Sequence, residues 1–360
     1  MRGSGYRSCD KLWTVLIDFT KEIDNIMEKN MLYLNKAQVE SLVPSEKVLE
    51  LVEKSFEEYS LGYAVNPVKL HLPIYPDYEG YVNSMPAYLR RMKIAGAKIV
   101  SVFKDNPRKG LPATAGLVLL HDVETGIPYA VMDGTYITSA RTGAVMGVMA
   151  KYLAKKDSKV LTVIGTGAQG LSSFNMIQIA LKSIEEVRLV DISTAAQERF
   201  VKGASELYPN VNYVKYPDIT SACKGSDIIL AAATSDKPLL LDEVFDKGTT
   251  VLIVEDDITS EYVNKFDSFI ADFKECLVER VNSDILHHSE LLGVEPDLLE
   301  MDSVTGEIGD IITGKIPGRQ NDEQIIMASS VGMGIQDIIV AREAYDKAHE
   351  NNIGINLNLL

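Results

Sequence analysis

The chain has 360 residues, of which 46% are hydrophobic, and a formal net charge of −15. This composition is typical of a globular protein with one or two domains, and the acidic balance argues against nucleic acid or an anionic membrane surface as a partner. No apolar run reaches the roughly 18 to 20 residues of a membrane span, so no membrane partner is expected. Three scattered cysteines without a CxxC pair favour a reducing, cytoplasmic compartment.

The first third of the chain predicts a mixed α+β domain. Residues 1–30 differ from the rest and are interpreted as an N-terminal extension. Residues 35–61 have the apolar spacing of a helix, and Ser45 after Pro44 is its predicted N-cap. Short β-rich runs and a hairpin around residues 124–126 follow, so we expect a mostly antiparallel sheet.

The next segment is predicted to turn helical and then to alternate. The stretch TYITSARTGAVMGVMAKYLA (135–154) reads as a helix capped by Thr138 or Ser139, which places Arg141 at the helix start. From residue 158 onwards strands and helices alternate, which predicts a parallel sheet with crossover helices. Residues 326–354 are interpreted as one long helix that ends at Gly354.

A glycine loop carries the clearest chemical signal. Gly165, Gly167 and Gly170 fit G-x-G-x-x-G between a predicted strand and a predicted helix. The three glycines permit a tight turn, the approach of a pyrophosphate and close helix–strand packing, while the helix N-terminus offers free N–H groups. The next predicted strand ends at Asp191, whose carboxylate suits an adenosine ribose and would repel a 2′-phosphate. The pattern therefore predicts NAD as the cofactor.

The histidines give no comparable signal for a metal. His287 and His288 are adjacent, so on a helix they would point apart, and we interpret them as surface residues. No metal site is predicted.

Six stretches together resemble the ornithine cyclodeaminase/mu-crystallin family. The resemblance extends over nearly all of residues 31–360, and the stretches that carry it read AGAKIVSVF (95–103), GLPATAGLVLLHDVETG (110–126), DGTYITSARTGAVMGVMAKYLA (133–154), VIGTGAQG (163–170), GKIPGR (314–319) and SSVGMGIQDIIVA (329–341).

The resemblance implies an α/β fold in which a Rossmann dinucleotide-binding domain is inserted into an α+β substrate-binding and dimerisation domain. The implied boundaries are 142–333 for the Rossmann domain and 31–141 with 334–360 for the other. It further implies NAD(P)-linked chemistry at the Cα of a small amino acid, and a homodimer.

The resemblance also assigns roles to single residues. Lys98 matches the family lysine that meets the substrate carboxylate, and Arg141 matches an arginine between substrate and cofactor. The other positions carried over as cofactor contacts are Gly165, Gly167, Ala168, Gln169, Gly170, Asp191, Thr234, Ser330 and Val331.

Two departures from the family pattern affect the implied site. Lys69 stands where the family usually has an arginine. A lysine ammonium is a point charge and cannot bind a carboxylate through two parallel hydrogen bonds as a guanidinium does. The catalytic aspartate falls within VEDDITSE, where Asp257 is favoured over Asp256 and Glu255. Alternative roles remain for two of these residues: Lys98 as a charge on an edge strand, and Asp257 as the N-cap of a helix near Ser260.

Three functions follow as hypotheses. The first is ornithine cyclodeamination, in which ornithine gives proline and ammonia by internal hydride transfer. The second is an NAD(P)-dependent amino-acid or N-linked adduct dehydrogenase, or a ketimine reductase, with net cofactor turnover. The third is a small-ligand binding protein of the mu-crystallin type, against which the charged residues Lys69, Lys98 and Arg141 argue, because an apolar ligand needs none of them.

Overall fold

The computed structural model describes residues 30–233, 245–254, 263, 265–292 and 295–358, apart from the side chains of residues 284, 287, 288 and 290–292. Several predictions lie outside these residues: the extension up to residue 29, the cofactor contact Thr234, the acids Glu255, Asp256 and Asp257, and the side chains of His287 and His288.

The described residues form two sheets, and the first has eight strands in the order β16-β1-β7-β6-β5-β4-β2, with β3 paired to β4. Strands β1 and β7 run parallel, whereas the other neighbours are antiparallel, which confirms the mostly antiparallel prediction. The strands are β1 (Asn30–Leu34), β2 (Ala64–Val65), β3 (Leu70–Pro73), β4 (Gly80–Leu89), β5 (Ile94–Phe103), β6 (Thr114–His121), β7 (Pro128–Asp133) and β16 (Ile355–Asn358).

Four of the described helices pack with this sheet: α1 (Lys36–Leu42), α2 (Ser45–Ser60), α3 (Gly134–Leu153) and α9 (Gly334–Asn351). Their buried side chains form one apolar core with the inner face of the strands. The predicted domain boundary after residue 141 falls inside α3, which is continuous.

Two predicted helix caps are wrong. Pro44 is the N-cap of α2, since its extended backbone supplies the turn, and Ser45 is the first helical residue. The cap of α3 is Asp133, whose side chain accepts hydrogen bonds from the amides of Thr135 and Tyr136. Because this carboxylate satisfies the first free N–H groups, α3 begins earlier than predicted. Arg141 therefore lies two turns inside the helix.

The second sheet is parallel throughout, in the order β10-β9-β8-β11-β12-β15-β13-β14. The chain order reverses direction between β8 and β11, and in such sheets this switch point is where a ligand binds. The strands are β8 (Val160–Ile164), β9 (Glu186–Val190), β10 (Asn212–Lys215), β11 (Ile228–Ala231), β12 (Thr250–Val254), β13 (Ser268–Ala271), β14 (Gly306–Glu307) and β15 (Ile326–Ser330).

The helices that accompany the second sheet are α4 (Ala168–Leu181), α5 (Thr194–Leu207), α6 (Ile219–Cys223), α7 (Lys274–Leu292) and α8 (Ile308–Ile312). This alternation is the α/β arrangement expected from the sequence. Within the described residues no helix is both long and apolar enough to cross a membrane.

The predicted long helix over 326–354 is wrong in its first part. Residues 326–330 form β15, buried between β12 and β13. Gly332, at φ +79, breaks the chain direction before α9 begins, and Asn352, at φ +54, ends that helix. Periodicity cannot separate a short buried strand from a buried helix when every residue in the run is apolar or small.

Candidate active site

The three glycines after β8 meet different surroundings. A Cβ on Gly165 would lie 2.5 Å from the amide nitrogen of Ala233, and one on Gly170 would lie 2.1 Å from the carbonyl oxygen of Gly165. A Cβ on Gly167 would meet no heavy atom within 4 Å among the described residues. The first and third glycines thus serve packing within the protein, while the second borders open space that a pyrophosphate could approach.

The start of α4 is arranged for an anion. Gly167 is its N-cap and provides no side-chain cap. Ala168 and Gln169 are its first residues, and Nε2 of Gln169 donates to Oγ of Ser173 at 3.2 Å. Since no side chain caps this end, its first N–H groups and the positive end of the helix dipole can act on a phosphate.

Asp191 follows β9 and holds the glycine loop. Its Oδ2 accepts hydrogen bonds from the amide and the hydroxyl of Thr166 at 2.7 and 2.9 Å, and its Oδ1 accepts one from the amide of Ser193 at 2.8 Å. Each carboxylate oxygen can accept two donors. Oδ1 therefore keeps capacity for one more donor, such as a ribose hydroxyl.

Lys98 lies in β5, between β4 and β6, so the alternative of an edge-strand charge is wrong. Its side chain is fully buried, beside the cross-strand neighbours Met85 and Val118. Its Nζ donates to Oδ1 of Asp337 in α9 at 2.8 Å.

Arg141 reaches the same carboxylate oxygen from α3. Its Nε donates to Oδ1 of Asp337 at 3.1 Å, and its Nη1 donates to Oε1 of Gln336 at 3.2 Å. The guanidinium also lies against Gly332, where a Cβ would be 2.3 Å from Nη1. A cation at a helix N-terminus would be repelled by the positive end of the helix dipole, but Arg141 lies inside α3 and is paired with an acid, so this repulsion does not arise.

Lys69 comes from the segment before β3. Its Nζ donates to the carbonyl oxygen of Val331, at the end of β15, at 2.8 Å. The carboxylate of Asp272, which follows β13, accepts hydrogen bonds from the Ser330 hydroxyl and from the amides of Val331 and Gly332 at 2.6 to 3.0 Å. Asp272 therefore fixes the loop that contains Val331, whose carbonyl oxygen accepts the hydrogen bond from Lys69.

The electrostatics of this cluster favour an anion. Burial, the neighbouring charge of Arg141 and, less strongly, that of Lys69 lower the pKa of Lys98 to about 7, whereas Asp337 acts to raise that pKa. An anion bound beside Lys98 would stabilise its protonated form.

The described part of the site brings together the three predicted substrate cations, Lys69, Lys98 and Arg141, near the predicted contacts Ser330 and Val331. The described residues contain no group of three or more His, Cys, Asp or Glu side chains placed to share a metal ion.

Sequence reasoning missed the two buried acids that organise the cluster, Asp337 and Asp272. The available signal for Asp337 was a single acid within the apolar run GIQDIIVA, a pattern that is rare in a buried helix face unless the charge is paired.

Comparisons with known proteins agree with this architecture. The model of the ornithine cyclodeaminase/mu-crystallin family matches residues 28–352. The alanine dehydrogenase of Archaeoglobus fulgidus is 32% identical over 330 residues, which is 90% of this chain and 97% of the relative.

Two solved structures are similar over almost their full length. The Δ1-pyrroline-2-carboxylate reductase of Thermococcus litoralis, in complex with NADH and L-proline, is 32% identical, with a TM-score of 0.83 over 91% of this chain and 100% of that chain. An archaeal alanine dehydrogenase dimer with bound NAD is 30% identical, with a TM-score of 0.80 over 92% and 100%. The predicted family and fold class are confirmed: the chain belongs to the ornithine cyclodeaminase/mu-crystallin family.

Proposed function

We propose that the protein is an NAD-dependent oxidoreductase that acts at the Cα–N bond of a small L-amino acid or cyclic imino acid. The observation that carries this proposal is the convergence of Lys69, Lys98 and Arg141 beside the loop that leaves β15. Relatives at least 30% identical are an alanine dehydrogenase and a pyrroline-2-carboxylate reductase, and both substrates have a carboxylate on the carbon bonded to nitrogen.

The glycine loop would hold the cofactor. Gly167 and the first residues of α4, Ala168 and Gln169, would face the pyrophosphate, while Gly165 and Gly170 would allow the tight turn that holds them there. Asp191 would accept a ribose hydroxyl, and its negative charge favours NAD over NADP. The remaining predicted contacts, Thr234, Ser330 and Val331, belong to the same proposal. When bound, NAD supplies the acceptor or donor of a hydride.

The cations would bind and orient the substrate. A carboxylate held by Lys98 and Arg141 places Cα at a fixed position, so much of the rate enhancement would come from positioning. Because burial lowers the pKa of Lys98 to about 7, carboxylate binding above that pH would be accompanied by uptake of a proton on Nζ. Lys69 would contribute a single ammonium charge at a position where the family usually has the two-pronged guanidinium of an arginine.

A general acid/base is needed beside the substrate nitrogen, since the amine must lose a proton before Cα loses hydride. Asp257, with Asp256 as the second candidate, is proposed for this role on the family resemblance.

Net dehydrogenation or reduction is proposed in preference to ornithine cyclodeamination, because the relatives above 30% identity are a dehydrogenase and a reductase. Cyclodeamination differs in that the hydride returns to the cyclic imine within one cycle. A mu-crystallin-like binding protein is disfavoured because an apolar ligand could not accept hydrogen bonds from the cations of this site.

A substrate panel tests the proposal. The protein is incubated with L-alanine, L-proline or L-ornithine and either NAD or NADP, and in the reverse direction with pyruvate plus ammonium or with pyrroline-2-carboxylate and the reduced cofactors. We expect a steady change in reduced-nicotinamide absorbance with NAD or NADH. Proline and ammonia formed from ornithine without accumulated NADH would instead select cyclodeamination. Absence of turnover with every pair would refute the proposal.

A homodimer is proposed from the outer face of the first sheet. Ile99 and Leu117 are 39% and 47% exposed and lie directly opposite each other on β5 and β6. Leu70 and Leu72 extend the same apolar face onto β3. Exposed large apolar side chains grouped on one sheet face mark an interaction surface, and a second copy of the chain would cover it. The cytoplasm is the proposed compartment, with which the free thiols of Cys223 and Cys276 agree.

A further inference from the structure

We propose that Asp337 is a positioning residue of the carboxylate site, whose Oδ1 atom joins Lys98 to Arg141 and so sets where both cations hold their remaining N–H donors. The inference rests on the proposed function, because it assigns a role within that same site.

Three elements meet at this one oxygen atom. The Nζ of Lys98, from β5, and the Nε of Arg141, from α3, lie 2.8 and 3.1 Å from Oδ1 of Asp337, which α9 provides. The side chains of Lys98 and Asp337 are completely buried, and that of Arg141 is 7% exposed. Without a shared acceptor, two buried cations this close would repel each other.

The close packing of α9 against β4 explains why the side chain of Asp337 reaches Lys98. A Cβ on Gly334 would lie 2.8 Å from the carbonyl oxygen of Met85, so only glycine lets the helix start this close to β4. Met85 is the cross-strand partner of Lys98. Asp337 lies in the first turn of α9, where the helix dipole favours a carboxylate.

Donors are left over on both cations for a substrate. Lysine has three N–H donors and arginine five. Asp337 takes one from each, and Gln336 takes one more from Nη1 of Arg141. Gly332 lies against the same guanidinium, so these contacts hold the guanidinium plane of Arg141 in one orientation. The remaining N–H donors of Arg141 therefore point in a fixed direction.

The charges around Lys98 give Asp337 a second effect. Strands β4 and β6 present Met85 and Val118, which are apolar; α3 presents Arg141, the segment before β3 presents Lys69, and α9 presents Asp337. Among the described residues, Asp337 is thus the anion that favours protonated Lys98. Removing its charge would make Lys98 lose its proton at a lower pH and weaken carboxylate binding there.

A purely structural role would be a weaker explanation. A buried ion pair is often no more stabilising than apolar side chains of similar volume. In addition, Oδ2 of Asp337 has no hydrogen-bond partner among the described residues, which is an unfavourable arrangement for stability alone.

The test uses Asp337→Asn, which keeps the shape and removes the charge. The matched control is Asp346→Asn on the same helix, since Asp346 pairs with Arg342 at 2.8 Å at the surface. Protein loaded with NADH is titrated calorimetrically with L-proline and with L-prolinamide from pH 6 to 9. L-proline and NADH are both reduced, so no turnover disturbs the titration.

We expect Asp337→Asn to weaken L-proline binding about tenfold, or by about 1.4 kcal/mol. The pH at which L-proline affinity falls should move down by about one unit. Binding of NADH and of L-prolinamide, which has no carboxylate, should stay within a factor of about three, and Asp346→Asn should behave as wild type. Unchanged affinity and pH profile for L-proline in Asp337→Asn would overturn the proposal.

Two further outcomes are informative. If wild-type protein binds NADH but none of L-proline, L-alanine and L-ornithine, the proposed function itself is wrong, and so is the proposed role of Asp337.

If Asp337→Asn alone fails to fold, Lys98→Met is compared with Lys98→Met/Asp337→Asn, in which no lysine is left unpaired. The double variant should fold and bind L-proline more weakly than Lys98→Met, because Arg141 has lost its acceptor. Equal affinity, or failure of the double variant to fold, would overturn the proposal.

Discussion

At the scale of single residues, substitutions at Gly167 and Gly170 test ligand binding and packing separately. We expect Gly170→Ala to destabilise the protein by about 1–3 kcal/mol, because its Cβ would lie 2.1 Å from the carbonyl oxygen of Gly165. Gly167→Ala should fold normally, since its φ of −70° suits alanine and the added methyl meets no described atom within 4 Å. The same methyl would occupy the space proposed for the pyrophosphate and should weaken NAD binding about tenfold or more.

Urea unfolding and calorimetric titration with NAD measure the two effects. Each variant controls for the other, because both introduce one methyl group into the same loop. A Gly167→Ala protein that binds NAD as tightly as wild type would show that the pyrophosphate does not approach this glycine.

Individual site residues differ in how far the sequence reveals them. Lys98 and Arg141 can be found because they stand in short stretches that resemble the family. Asp337 also stands in such a stretch, at residues 329–341, but the stretch does not reveal its partners. Asp337 is 239 residues from Lys98 and 196 from Arg141, and only the folded sheet and helices bring them together. The acids Asp256 and Asp257 lie outside the described residues, so their role stays a prediction.

At the scale of elements, the link from β15 to α9 depends on one buried carboxylate. Asp272 accepts hydrogen bonds from Ser330, Val331 and Gly332, and Val331 in turn accepts the bond from Lys69. In Asp272→Asn an NH₂ group would replace one of the acceptor oxygens and face N–H donors. We expect a loss of about 2–4 kcal/mol in the free energy of unfolding, measured with urea.

Asp267→Asn is the matched control for this variant. Asp267 lies just before β13 at the surface, and its Oδ2 accepts one hydrogen bond, from the amide of Ile325, at 2.8 Å. Its replacement should cost less than about 1 kcal/mol. Similar losses in the two variants would mean that Asp272 is not the main support of the link.

Elements were predictable where pattern and propensity agree. The alternation of β8, α4, β9 and α5 follows from apolar runs separated by amphipathic segments, and the glycine loop marks the junction of the first two. β15 was missed because IMASS is buried on all sides and has no distinguishing period. The start of α3 was misplaced because the capping acid, Asp133, also ends the preceding strand, and sequence patterns locate such boundaries poorly.

At the scale of the whole molecule, the candidate site is assembled from both sheets. Lys98 belongs to the first sheet, Asp272 and Val331 follow strands of the second, and Arg141 lies on α3, which contacts strands of both. The fold class could be predicted because the two sheets have different sequence patterns: short β-rich runs with a hairpin for the first, and alternating strands and helices for the second. The contacts between the sheets could not, since they depend on side chains that meet only after both have formed.

The outer face of the first sheet gives the last prediction. Leu117 is 47% exposed and lies opposite Ile99, so Leu117→Glu would place a carboxylate in the centre of the proposed dimer interface. A charge buried there without a partner is strongly unfavourable, whereas on a free surface it is tolerated. We expect wild-type protein to sediment as a dimer and Leu117→Glu as a folded monomer with an unfolding midpoint typical of an intact domain. Leu207→Glu, on α5 and 63% exposed, should remain dimeric. A wild-type monomer, or a Leu117→Glu dimer, would mean that a second copy does not cover this face.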